Sequence, residues 1–455
     1  MNKQISRRTF LGASGLTLTA ARLGEFSLSA QGQLFAYVGR STPGFAGASM
    51  GGGVDVFRVN MADGSLQPVS STGLEVQDLN SDGMCVSADG RFLYCVNRTT
   101  ALGGIPGAGG GVVAFAINRA DGSLRHLNTR PSMGAMPISV KIDKTNSRII
   151  VGNHGAVSRV VLVTKKNGVP VIERPTDDGT IALFPVGPDG SLGPVLDVSV
   201  FAEQPAPGSQ GIRPEAIGPT ALVQIGAAGH DVAFDRTQRW IIATDNGYDH
   251  IYVYPFTPAS RRLEGKSFPT PPGKAPRHIA VHPRAPYFFI TNEREPSVSS
   301  FHLDSDSGEV RLVQTSATVP EGESAPPAAP SSAAPSGAPS PAAPAGAPRV
   351  SPADIRIHPN AKFLYSSNRV SGGRDSIAIF AIDASTGRLS RVDVVETGGS
   401  GQREFNIEPS GRFLFACNLQ SNDVISFALD ANTGTMTRTA RTSVQRPAVI
   451  DFATL

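Results

Sequence analysis

Six segments of the sequence repeat one pattern, and this repetition constrains the fold more than any other feature. Each segment has an apolar alternation, a turn rich in Asp, Pro, Gly or Asn, and a stronger apolar run that ends near Asn or Asp. The pattern predicts a β-hairpin in every copy. The copies are GMCVSADGRFLYCVNR, ISVKIDKTNSRIIVGNH, HDVAFDRTQRWIIATDN, RHIAVHPRAPYFFITNE, ADIRIHPNAKFLYSSNR and REFNIEPSGRFLFACNL.

A second hairpin follows the first along the chain. An alternating strand such as VVAFAIN or IAIFAID leads into a tight turn and then into a short polar strand. Asp-Gly and Thr-Gly suit such turns because glycine reaches the positive φ that a tight hairpin turn needs. Seven turns of this kind occur, with the sequences ADGSL, ADGSL, PDGSL, SRRLE, DSGEV, STGRL and NTGTM.

The two ends of the chain can supply a seventh first hairpin. One first hairpin is missing, and RPAVIDF near the C-terminus and LFAYVGR near the N-terminus can supply its two strands. Pairing these strands would close a ring without an exposed sheet edge. The sequence therefore predicts an all-β fold: a seven-bladed β-propeller of four-stranded antiparallel blades, closed by the N- and C-terminal strands. A pair of β-sandwiches is the main alternative, which seven similar units in series disfavour.

The first 30 residues predict an export signal. SRRTFLGASGLTLTAA has a twin arginine, Arg7 and Arg8, before a short apolar run, and it resembles a twin-arginine (Tat) signal. Cleavage after Ala30 would leave residues 31–455 as the propeller domain. The run is too short to span a bilayer, so we expect a periplasmic or secreted bacterial protein, carried by the Tat export machinery and free of the membrane after signal removal. A disordered N-terminus without a targeting role is the alternative.

The same segment explains the net charge of +3. Lys3, Arg7, Arg8 and Arg22 lie there with a single acidic residue, Glu25, so the remaining chain is electrically balanced. A balanced body does not indicate a nucleic-acid partner.

Three cysteines are too few and too scattered for a metal or haem motif. Cys85, Cys95 and Cys417 form no CxxC pair. Cys85 and Cys95 lie on the two arms of one predicted hairpin. We expect buried free thiols, with a disulfide between these two as the alternative.

Three segments interrupt the repeat. Residues 320–349 are rich in Ala, Pro and Ser, cannot bury a core, and are expected to form a disordered insert between blades. Residues 165–180 lengthen another connection. Residues 202–228 are rich in Pro and Gly and precede His230, and a long loop at the entry of a blade is a candidate lid.

Polar residues recur at matching positions of the hairpins. In a propeller the first strand of each blade lines the central channel, and antiparallel pairing places its start beside the end of the second strand. Polar residues at both places should therefore meet at one channel mouth. Those at or near the hairpin openings are Ser139, Lys141, His230, Asp231, Arg277, His278, Asp354, Arg356, Arg403 and Glu404, and those after the hairpin ends are Arg98, His154, Asn246, Glu293 and Arg369.

These residue types suit a small anionic or ester-like molecule. Arginine binds a carboxylate in bidentate fashion and stabilises an oxyanion, and His230 and Glu293 can exchange protons. The sequence has no G-x-S-x-G motif and no metal-ligand spacing, so we expect a base that activates water or a substrate group directly. The alternative is that the charges are solvated rim residues or structural ion pairs.

The repeats resemble the seven-bladed β-propeller lactonase family, which includes bacterial 6-phosphogluconolactonases and fungal carboxy-cis,cis-muconate lactonising enzymes. The resemblance rests on APRHIAVHP with ITNE, on ADIRIHP with LYSSNR and DSIAIFAID, and on QREFNIEPSGRFLFACN. It runs from about Leu34 to the C-terminus. It implies a cofactor-free enzyme that acts on a lactone ring in the central funnel.

The resemblance also implies roles for individual residues. By position, His230 matches the active-site histidine, Arg277 the arginine of Pro-Arg-His, and Glu293 the glutamate of Asn-Glu. A further arginine is either Arg369 or Arg356. Members often have His-x-His before the first hairpin, whereas GHDVAFD has one His. The expected catalytic residues are His230, Arg277, Glu293, Arg369 and Arg356, and the expected substrate-binding residues are His278, Asp354, Arg403, His154 and Asp231, with no metal ligands.

The function expected from these features is hydrolysis of a small lactone by an exported monomer, through metal-free general acid/base ring opening. A phosphorylated sugar lactone is a cytoplasmic metabolite, so the export signal favours an unphosphorylated lactone or carboxylate. One alternative is a muconate-type lactonising cycloisomerase that uses the same arginines. The other is a non-catalytic propeller that binds a ligand or a protein at the channel mouth.

Overall fold

The computed structural model describes most of the chain from residue 32 onwards. The described residues are 32–41, 52–72, 76, 79–105, 107–155, 162–166, 168–173, 179–201, 226–320, 349–371 and 373–455. The export signal, most of the candidate lid and most of the Ala/Pro/Ser-rich insert therefore lie outside the described residues, and the structure does not test them.

Of the 30 strands in the described residues, 28 form seven four-stranded sheets, which we number as blades in chain order, and two form a separate hairpin. Blade 1 begins with β1 (Leu34–Arg40), β2 (Val54–Val59) and β3 (Leu66–Ser71). Blade 2 has β4 (Ser81–Val86), β5 (Phe92–Asn97), a 3₁₀ turn (Leu102–Gly104), β6 (Gly111–Ile117) and β7 (Leu124–Pro131). Blade 3 has β8 (Pro137–Ile142) and β9 (Arg148–Asn153), then a separate hairpin of β10 (Leu162–Lys166) and β11 (Val169–Glu173), then β12 (Thr180–Pro185) and β13 (Asp197–Val200).

In the residues that the structure describes, the later blades follow without an inserted strand. Blade 4 has β14 (Gly229–Phe234), β15 (Trp240–Asp245), β16 (His250–Pro255) and β17 (Lys266–Pro269). Blade 5 has β18 (Pro276–Val281), β19 (Tyr287–Asn292), β20 (Ser297–Leu303) and β21 (Val310–Ala317). Blade 6 has β22 (Arg349–Ile357), β23 (Phe363–Ser371), β24 (Ser376–Asp383) and β25 (Arg388–Glu396). Blade 7 has β26 (Gln402–Ile407), β27 (Phe413–Asn418), β28 (Asp423–Leu429) and β29 (Met436–Ser443), and β30 (Pro447–Thr454) returns to blade 1.

The chain closes into a ring through its two ends. β30 pairs antiparallel with β1, so blade 1 has the order β3-β2-β1-β30. The seven inner strands β30, β4, β8, β14, β18, β22 and β26 contact one another in a complete cycle around the channel. The predicted seven-bladed propeller with closure by the terminal strands is therefore confirmed.

The hydrophobic core lies between neighbouring blades and not within any single sheet. Phe35 and Tyr37 of blade 1, for example, share one buried cluster with Leu93 and Phe115 of blade 2. Each sheet therefore depends on both of its neighbours to bury its two faces.

The glycines of the second hairpin turns connect the blades at the outer rim. Gly122 in blade 2 has φ +76°, and a Cβ atom there would lie 2.4 Å from the Phe35 ring of blade 1. The same contact recurs at six blade interfaces, so these turns need glycine both for the positive φ and for the close approach of a ring. The pairs are Phe35 with Gly122, Phe92 with Gly190, Trp240 with Gly308, Tyr287 with Gly387, Phe363 with Gly434, and Phe413 with Gly64.

The three cysteines are buried and free, as the sequence predicted. Cys95 pairs in register with Met84 and Cys85 with Tyr94, so the two thiols point to opposite faces of blade 2. No helix among the described residues is long and apolar enough to cross a membrane.

The ring contact at the rim predicts a graded effect of adding a methyl group to glycine. Gly122→Ala should lower the free energy of unfolding by about 2–4 kcal/mol, because left-handed strain and overpacking against Phe35 add. Gly273 also has a positive φ, +77°, but nothing lies within 4 Å of its missing Cβ atom. The matched control Gly273→Ala should therefore cost only about 1–2 kcal/mol. Urea unfolding of residues 31–455 measures both, and equal losses would contradict the role of the ring contact.

Candidate active site

A β-bulge interrupts the innermost strand of five blades at the same place. In blades 2, 4, 5, 6 and 7, two residues of the inner strand oppose a single residue of the next strand. A bulge re-aims side chains, so two consecutive residues reach the channel region where a regular strand would present one. The bulge pairs are Asp82 with Gly83, His230 with Asp231, Arg277 with His278, Ala353 with Asp354, and Arg403 with Glu404.

A hydroxyl group fixes the bulge in blades 4, 5 and 6. The single residue opposite the bulge is Thr or Ser, and its side-chain oxygen accepts the backbone N–H that the bulge removes from the ladder. The bonds are Asp231 N to Thr244 Oγ1 at 3.0 Å, His278 N to Thr291 Oγ1 at 3.1 Å, and Asp354 N to Ser367 Oγ at 2.9 Å. The backbone that carries the polar side chains is therefore held from the neighbouring strand.

The Glu293 carboxylate joins side chains from three blades at the channel mouth. Its Oε1 accepts a hydrogen bond from Arg369 Nη2 at 2.6 Å, and its Oε2 accepts one from Asn246 Nδ2 at 3.0 Å. Arg277 Nε lies 3.4 Å from the same Oε1. Two guanidinium groups thus share one carboxylate, and this mouth cluster of Arg277, Glu293 and Arg369 keeps one excess positive charge.

The two arginines of the mouth cluster differ in access to the channel. The Arg277 side chain is only 2% exposed and also donates to the Ala353 carbonyl of the next blade. The Arg369 and Glu293 side chains are each 27% exposed. Arg369 is therefore the arginine that a ligand can reach directly, whereas Arg277 acts from beneath it.

Three histidines from consecutive blades stand in a row beside this cluster. The ring centroids of His154 and His230 are 5.7 Å apart, and those of His230 and His278 are 5.1 Å apart. The Nδ1 atom of His278 lies 2.8 Å from Asp354 Oδ1. The Nδ1 atom of His230 is buried and makes no hydrogen bond to any residue that the structure describes.

Burial and neighbouring cations keep the histidine row neutral. Burial, followed by the charge of Arg277, holds the pKa of His230 well below its usual value and lowers the pKa of His278. Burial and the charge of Arg98 lower the pKa of His154 to about 4. All three imidazoles are therefore unprotonated at neutral pH and can accept a proton.

The Glu293 carboxyl is charged, in contrast to the neutral histidines. Burial alone would raise the pKa of its carboxyl, but the charges of Arg277 and Arg369 together outweigh burial and hold the pKa well below the usual range. Glu293 is thus ionised and fully engaged with cations. It suits the role of a counter-ion that orients the arginines better than the role of a proton acceptor.

A second ion-pair cluster lies on the far side of the mouth. Arg403 binds Asp82 in bidentate fashion, with Nε 3.0 Å from Oδ1 and Nη2 2.5 Å from Oδ2. Arg98 also donates to Asp82, which is buried. This pairing joins blade 7 to blade 2 across blade 1.

A lower layer of carboxylates holds neighbouring inner strands together. Asp354 accepts hydrogen bonds from Arg356 Nη1 at 2.6 Å and from the backbone N–H of Phe405 at 2.9 Å, besides its contact with His278. It therefore links blades 5, 6 and 7.

Asp231 plays the same part between blades 3 and 5. Its Oδ1 accepts the Ser139 hydroxyl at 2.6 Å, and its Oδ2 accepts the backbone N–H of Ile279 at 2.8 Å. The polar residues of the lower layer are therefore structural links as well as channel-lining groups.

A small polar chamber, with room for about one water molecule, lies in the channel at the level of this lower layer. Arg356 Nη2 lies 3.3 Å from Glu404 Oε2 across it. Burial and the nearby Asp354 raise the pKa of Glu404 above its usual range. The polar lining residues are Ser139, Lys141, Asp231, His278, Arg356 and Glu404. Among the described residues, no group of three His, Cys, Asp or Glu side chains is placed to hold a metal ion.

The structure brings all ten expected site residues to this end of the channel, in two layers. The sequence left open whether the further arginine of the site is Arg369 or Arg356, and the structure places the two in different layers. Arg369 belongs to the mouth cluster, and Arg356 binds Asp354 in the lower layer. The mouth layer holds His154, His230, Arg277, Glu293, Arg369 and Arg403, and the lower layer holds Asp231, His278, Asp354 and Arg356.

Sequence reasoning missed Asp82. It stands one residue before the blade 2 repeat, at the position that His230, Arg277 and Arg403 occupy in theirs. Extending the alignment by one residue in SDGMCV would have found it. The Thr and Ser residues opposite the bulges were also missed, although they recur just before the terminal Asn or Asp in ATDN, ITNE and SSNR.

Comparison with known proteins finds a matching family model and several similar proteins. A family model described as "Lactonase, 7-bladed beta-propeller" matches residues 35–452. The 6-phosphogluconolactonase of Bacillus subtilis (strain 168) is 24% identical over 411 residues, covering 90% of this chain and 97% of that protein. The 6-phosphogluconolactonase of Formosa agariphila is 25% identical over 395 residues, covering 86% and 92%. The solved structure of a periplasmic gluconolactonase of Pseudomonas aeruginosa shares the fold, with a TM-score of 0.71 at 23% identity, covering 93% of this chain and all of that one.

The lowered pKa of His154 predicts a pH-dependent cost to stability. Between pH 6.5 and about 4 the unfolded chain binds a proton at this imidazole and the folded chain does not, so folding loses stability as pH falls. His154→Gln should remove this loss. From pH 7 to pH 5 the free energy of unfolding should shift in favour of the variant by about 1 kcal/mol, since the ring is partly exposed and screened.

Urea unfolding of both proteins at pH 7 and pH 5 measures the difference. The carboxyls with raised pKa values, Glu404, Asp245 and Asp451, have the opposite pH dependence, but they are present in both proteins and cancel. A difference in the free energy of unfolding between the two proteins that is the same at pH 7 and pH 5 would contradict the lowered pKa of His154.

Proposed function

Since the chain belongs to the lactonase family of seven-bladed β-propellers, we propose that this lactone-hydrolysing enzyme opens a small, unphosphorylated lactone at the mouth cluster by general acid/base catalysis. The observation that carries the proposal is the neutral histidine row beside a pair of arginines that share Glu293. The row can accept a proton, and the excess positive charge of the pair can stabilise an oxyanion.

The proposed reaction uses these two features together. The carbonyl oxygen of the lactone lies against Arg369, and water attacks the carbonyl carbon while an imidazole of the row takes the water proton. The carbonyl oxygen becomes an oxyanion, which a charged donor stabilises more strongly than the neutral ground state. When the bond from the carbonyl carbon to the ring oxygen breaks, the imidazole returns the proton to the ring oxygen, and a hydroxy acid leaves.

Arg277 and Glu293 support this step without the same access to the substrate. Arg277 is buried between Glu293 and the Ala353 carbonyl, and its charge adds to burial in keeping His230 and His278 neutral. Glu293 fixes the direction of Arg369 through a 2.6 Å hydrogen bond. This arrangement favours an imidazole over Glu293 as the general base.

The proposed export favours a substrate without a phosphate group, because a phosphorylated sugar lactone is a cytoplasmic metabolite. Within the described part of the chain, each of the site's five arginines has a carboxylate partner: Glu293 for Arg277 and Arg369, Asp82 for Arg98 and Arg403, and Asp354 for Arg356. The three carboxylates leave part of this positive charge uncompensated, so the site can stabilise the oxyanion of an uncharged lactone without a second anionic group on the substrate. The named relatives from Bacillus and Formosa are 6-phosphogluconolactonases, so we propose that this chain differs from them in substrate.

Loss of Arg369 should show whether the mouth cluster carries out the reaction. Arg369→Ala should lower kcat/KM by about 100-fold or more, because a charged oxyanion donor is removed. Arg374→Ala is the matched control, since this nearby arginine is exposed and pairs with the exposed Glu396. Proton release from a panel of aldono-lactones, with and without phosphate, and of aliphatic lactones measures turnover.

The panel separates the outcomes. Turnover of unphosphorylated lactones that is lost in Arg369→Ala and retained in Arg374→Ala is the expected result. Full activity of Arg369→Ala would contradict the mouth cluster as the site. Preference for the phosphorylated lactones would contradict the proposed substrate class.

We also propose that the first 30 residues export the enzyme through the Tat pathway. Supporting features are the adjacent Arg7 and Arg8, the mild apolar run that follows, and small residues around Ala30. Replacing both arginines with lysine keeps the charge but removes the pair that a twin-arginine receptor reads. In a Gram-negative host the double variant should remain in the cytoplasm, whereas wild type and Arg22→Lys should reach the periplasm. Equal export of the double variant would contradict the proposal.

A further inference from the structure

His278 is the only member of the histidine row that a carboxylate orients within the described structure. Its Nδ1 atom lies 2.8 Å from Asp354 Oδ1, and its backbone N–H is anchored to Thr291 Oγ1 at 3.1 Å. Because a carboxylate only accepts, Nδ1 must carry the proton, and the neutral ring keeps its lone pair on Nε2. The tautomer of His278 is therefore set by a hydrogen bond to Asp354.

Asp354 is itself held rigidly. It is fully buried, and it accepts hydrogen bonds from Arg356 Nη1 at 2.6 Å, from the backbone N–H of Ile355 at 2.8 Å and from that of Phe405 at 2.9 Å. The charge of Arg356 and these donors hold the pKa of Asp354 at about 2, so the carboxylate is ionised. A fixed, ionised acceptor behind an imidazole both aims the ring and stabilises the imidazolium that forms when Nε2 takes a proton.

The neighbouring His230 has no such support. Its Nδ1 atom is buried without a hydrogen-bond partner among the described residues, so no hydrogen bond there selects a tautomer. The nearby groups that act most strongly on its charge are Arg277, His278, His154 and Arg403, all cationic or neutral, and they disfavour an imidazolium. A proton is therefore held more easily at His278 than at His230.

His278 also borders open space. It lines the polar chamber, together with Ser139, Asp231 and Glu404, whose oxygens can hydrogen-bond water. Its ring is 5.1 Å from that of His230, which places it next to the mouth cluster. The ring thus stands between a polar space that water can occupy and the place proposed for the lactone carbonyl.

We propose that His278, oriented by Asp354, is the proton-transfer residue of the ring-opening reaction, an inference that rests on the proposed lactone hydrolysis. Nε2 of His278 takes one proton from water as the water oxygen bonds to the carbonyl carbon. As the bond from that carbon to the ring oxygen breaks, Nε2 gives the same proton to the ring oxygen. No proton is gained or lost at the enzyme, and the product is one hydroxy acid per water consumed. Asp354 is a positioning residue, and His230 contacts the substrate ring.

The groups around His278 determine how its protonation depends on pH. Arg277 on its own strand opposes the imidazolium, while Asp354 on β22 and Asp231 on β14 favour it. His230 stands beside the ring, and Arg356 and Glu404 face it across the chamber. Removal of the Asp354 charge should therefore weaken proton binding at His278, and the decline of kcat/KM on the acid side should move to lower pH.

The experiment compares pH–rate profiles of variants of the mature protein on the best lactone of the panel. His278→Gln should lower kcat by about 100-fold or more and abolish the acid-side decline, because the group that titrates is gone. Asp354→Asn should lower kcat by a similar factor, because an amide can present N–H to Nδ1 and select the wrong tautomer. Its acid-side decline should shift by about one pH unit to lower pH, because the charge that favours the imidazolium is gone. His230→Gln should lower kcat less and keep the decline.

A matched control separates orientation from folding. Asp451 in β30 is also a link between inner strands, accepting the backbone N–H of Val86 at 2.8 Å and that of Phe452 at 2.9 Å, but it contacts no histidine. Asp451→Asn also replaces a carboxyl that links inner strands, and it should leave both kcat and the pH profile unchanged. Thermal unfolding of each variant verifies that the proteins compared are folded.

The outcomes distinguish this inference from the function on which it rests. If wild type turns over lactones and His278→Gln keeps its kcat and its acid-side decline, while His230→Gln loses both, the inference is overturned and the lactonase function stands. If Asp354→Asn behaves as Asp451→Asn does, Asp354 has no positioning role. If wild type turns over no lactone in the panel, the proposed function and this inference both fall.

Discussion

The inner-strand groups of the site, among them Arg277, His278 and Arg403, depend for their position on one backbone irregularity, the β-bulge. A regular strand alternates its side chains between two faces, so it presents one residue in two to the channel. The bulge makes two consecutive residues available, as with Arg277 and His278. In blades 4 to 6 the hydroxyl of Thr244, Thr291 or Ser367 satisfies the N–H that the bulge leaves unpaired, which makes the irregularity stable enough to repeat.

The bulges bring many charges into one buried space, and that space is tolerable only because the charges are paired. Burying an isolated ion costs several kcal/mol, whereas a cation with a hydrogen-bonded carboxylate is compensated. Glu293 and Asp82 each neutralise one of two guanidinium groups, and each pair of arginines retains one excess positive charge. Burial, together with this excess, keeps the neighbouring imidazoles neutral, and the excess is available for an oxyanion. The requirements of folding and of catalysis are therefore met by the same ion pairs.

Much of the fold was predictable from the sequence, but the pairing of charges was not. The hairpins have a period-2 pattern and glycine turns that are local signals, and counting them was sufficient to find seven blades and the closing strands. The bulges also leave a local trace, two adjacent polar residues before an apolar alternation, as in GHDVAF and QREFNI. Asp82 was missed because Gly83 follows it and hides this trace. Which carboxylate meets which arginine is a property of the closed ring: Asp82 and Arg403 are 321 residues apart in the chain.

The proposed mechanism requires the lactone to bind between Arg369 and the histidine row. A crystal structure of the mature protein with the lactam analogue of an aldono-lactone tests it directly, because the amide keeps the ring and the carbonyl but resists opening. The lactam carbonyl oxygen should lie within hydrogen-bond distance of the Arg369 guanidinium. Its ring should pack against His230, and Nε2 of His278 should face the carbonyl carbon. A lactam bound elsewhere, with Arg369 still donating to Glu293 and Ser351 and the mouth cluster unchanged, would contradict it.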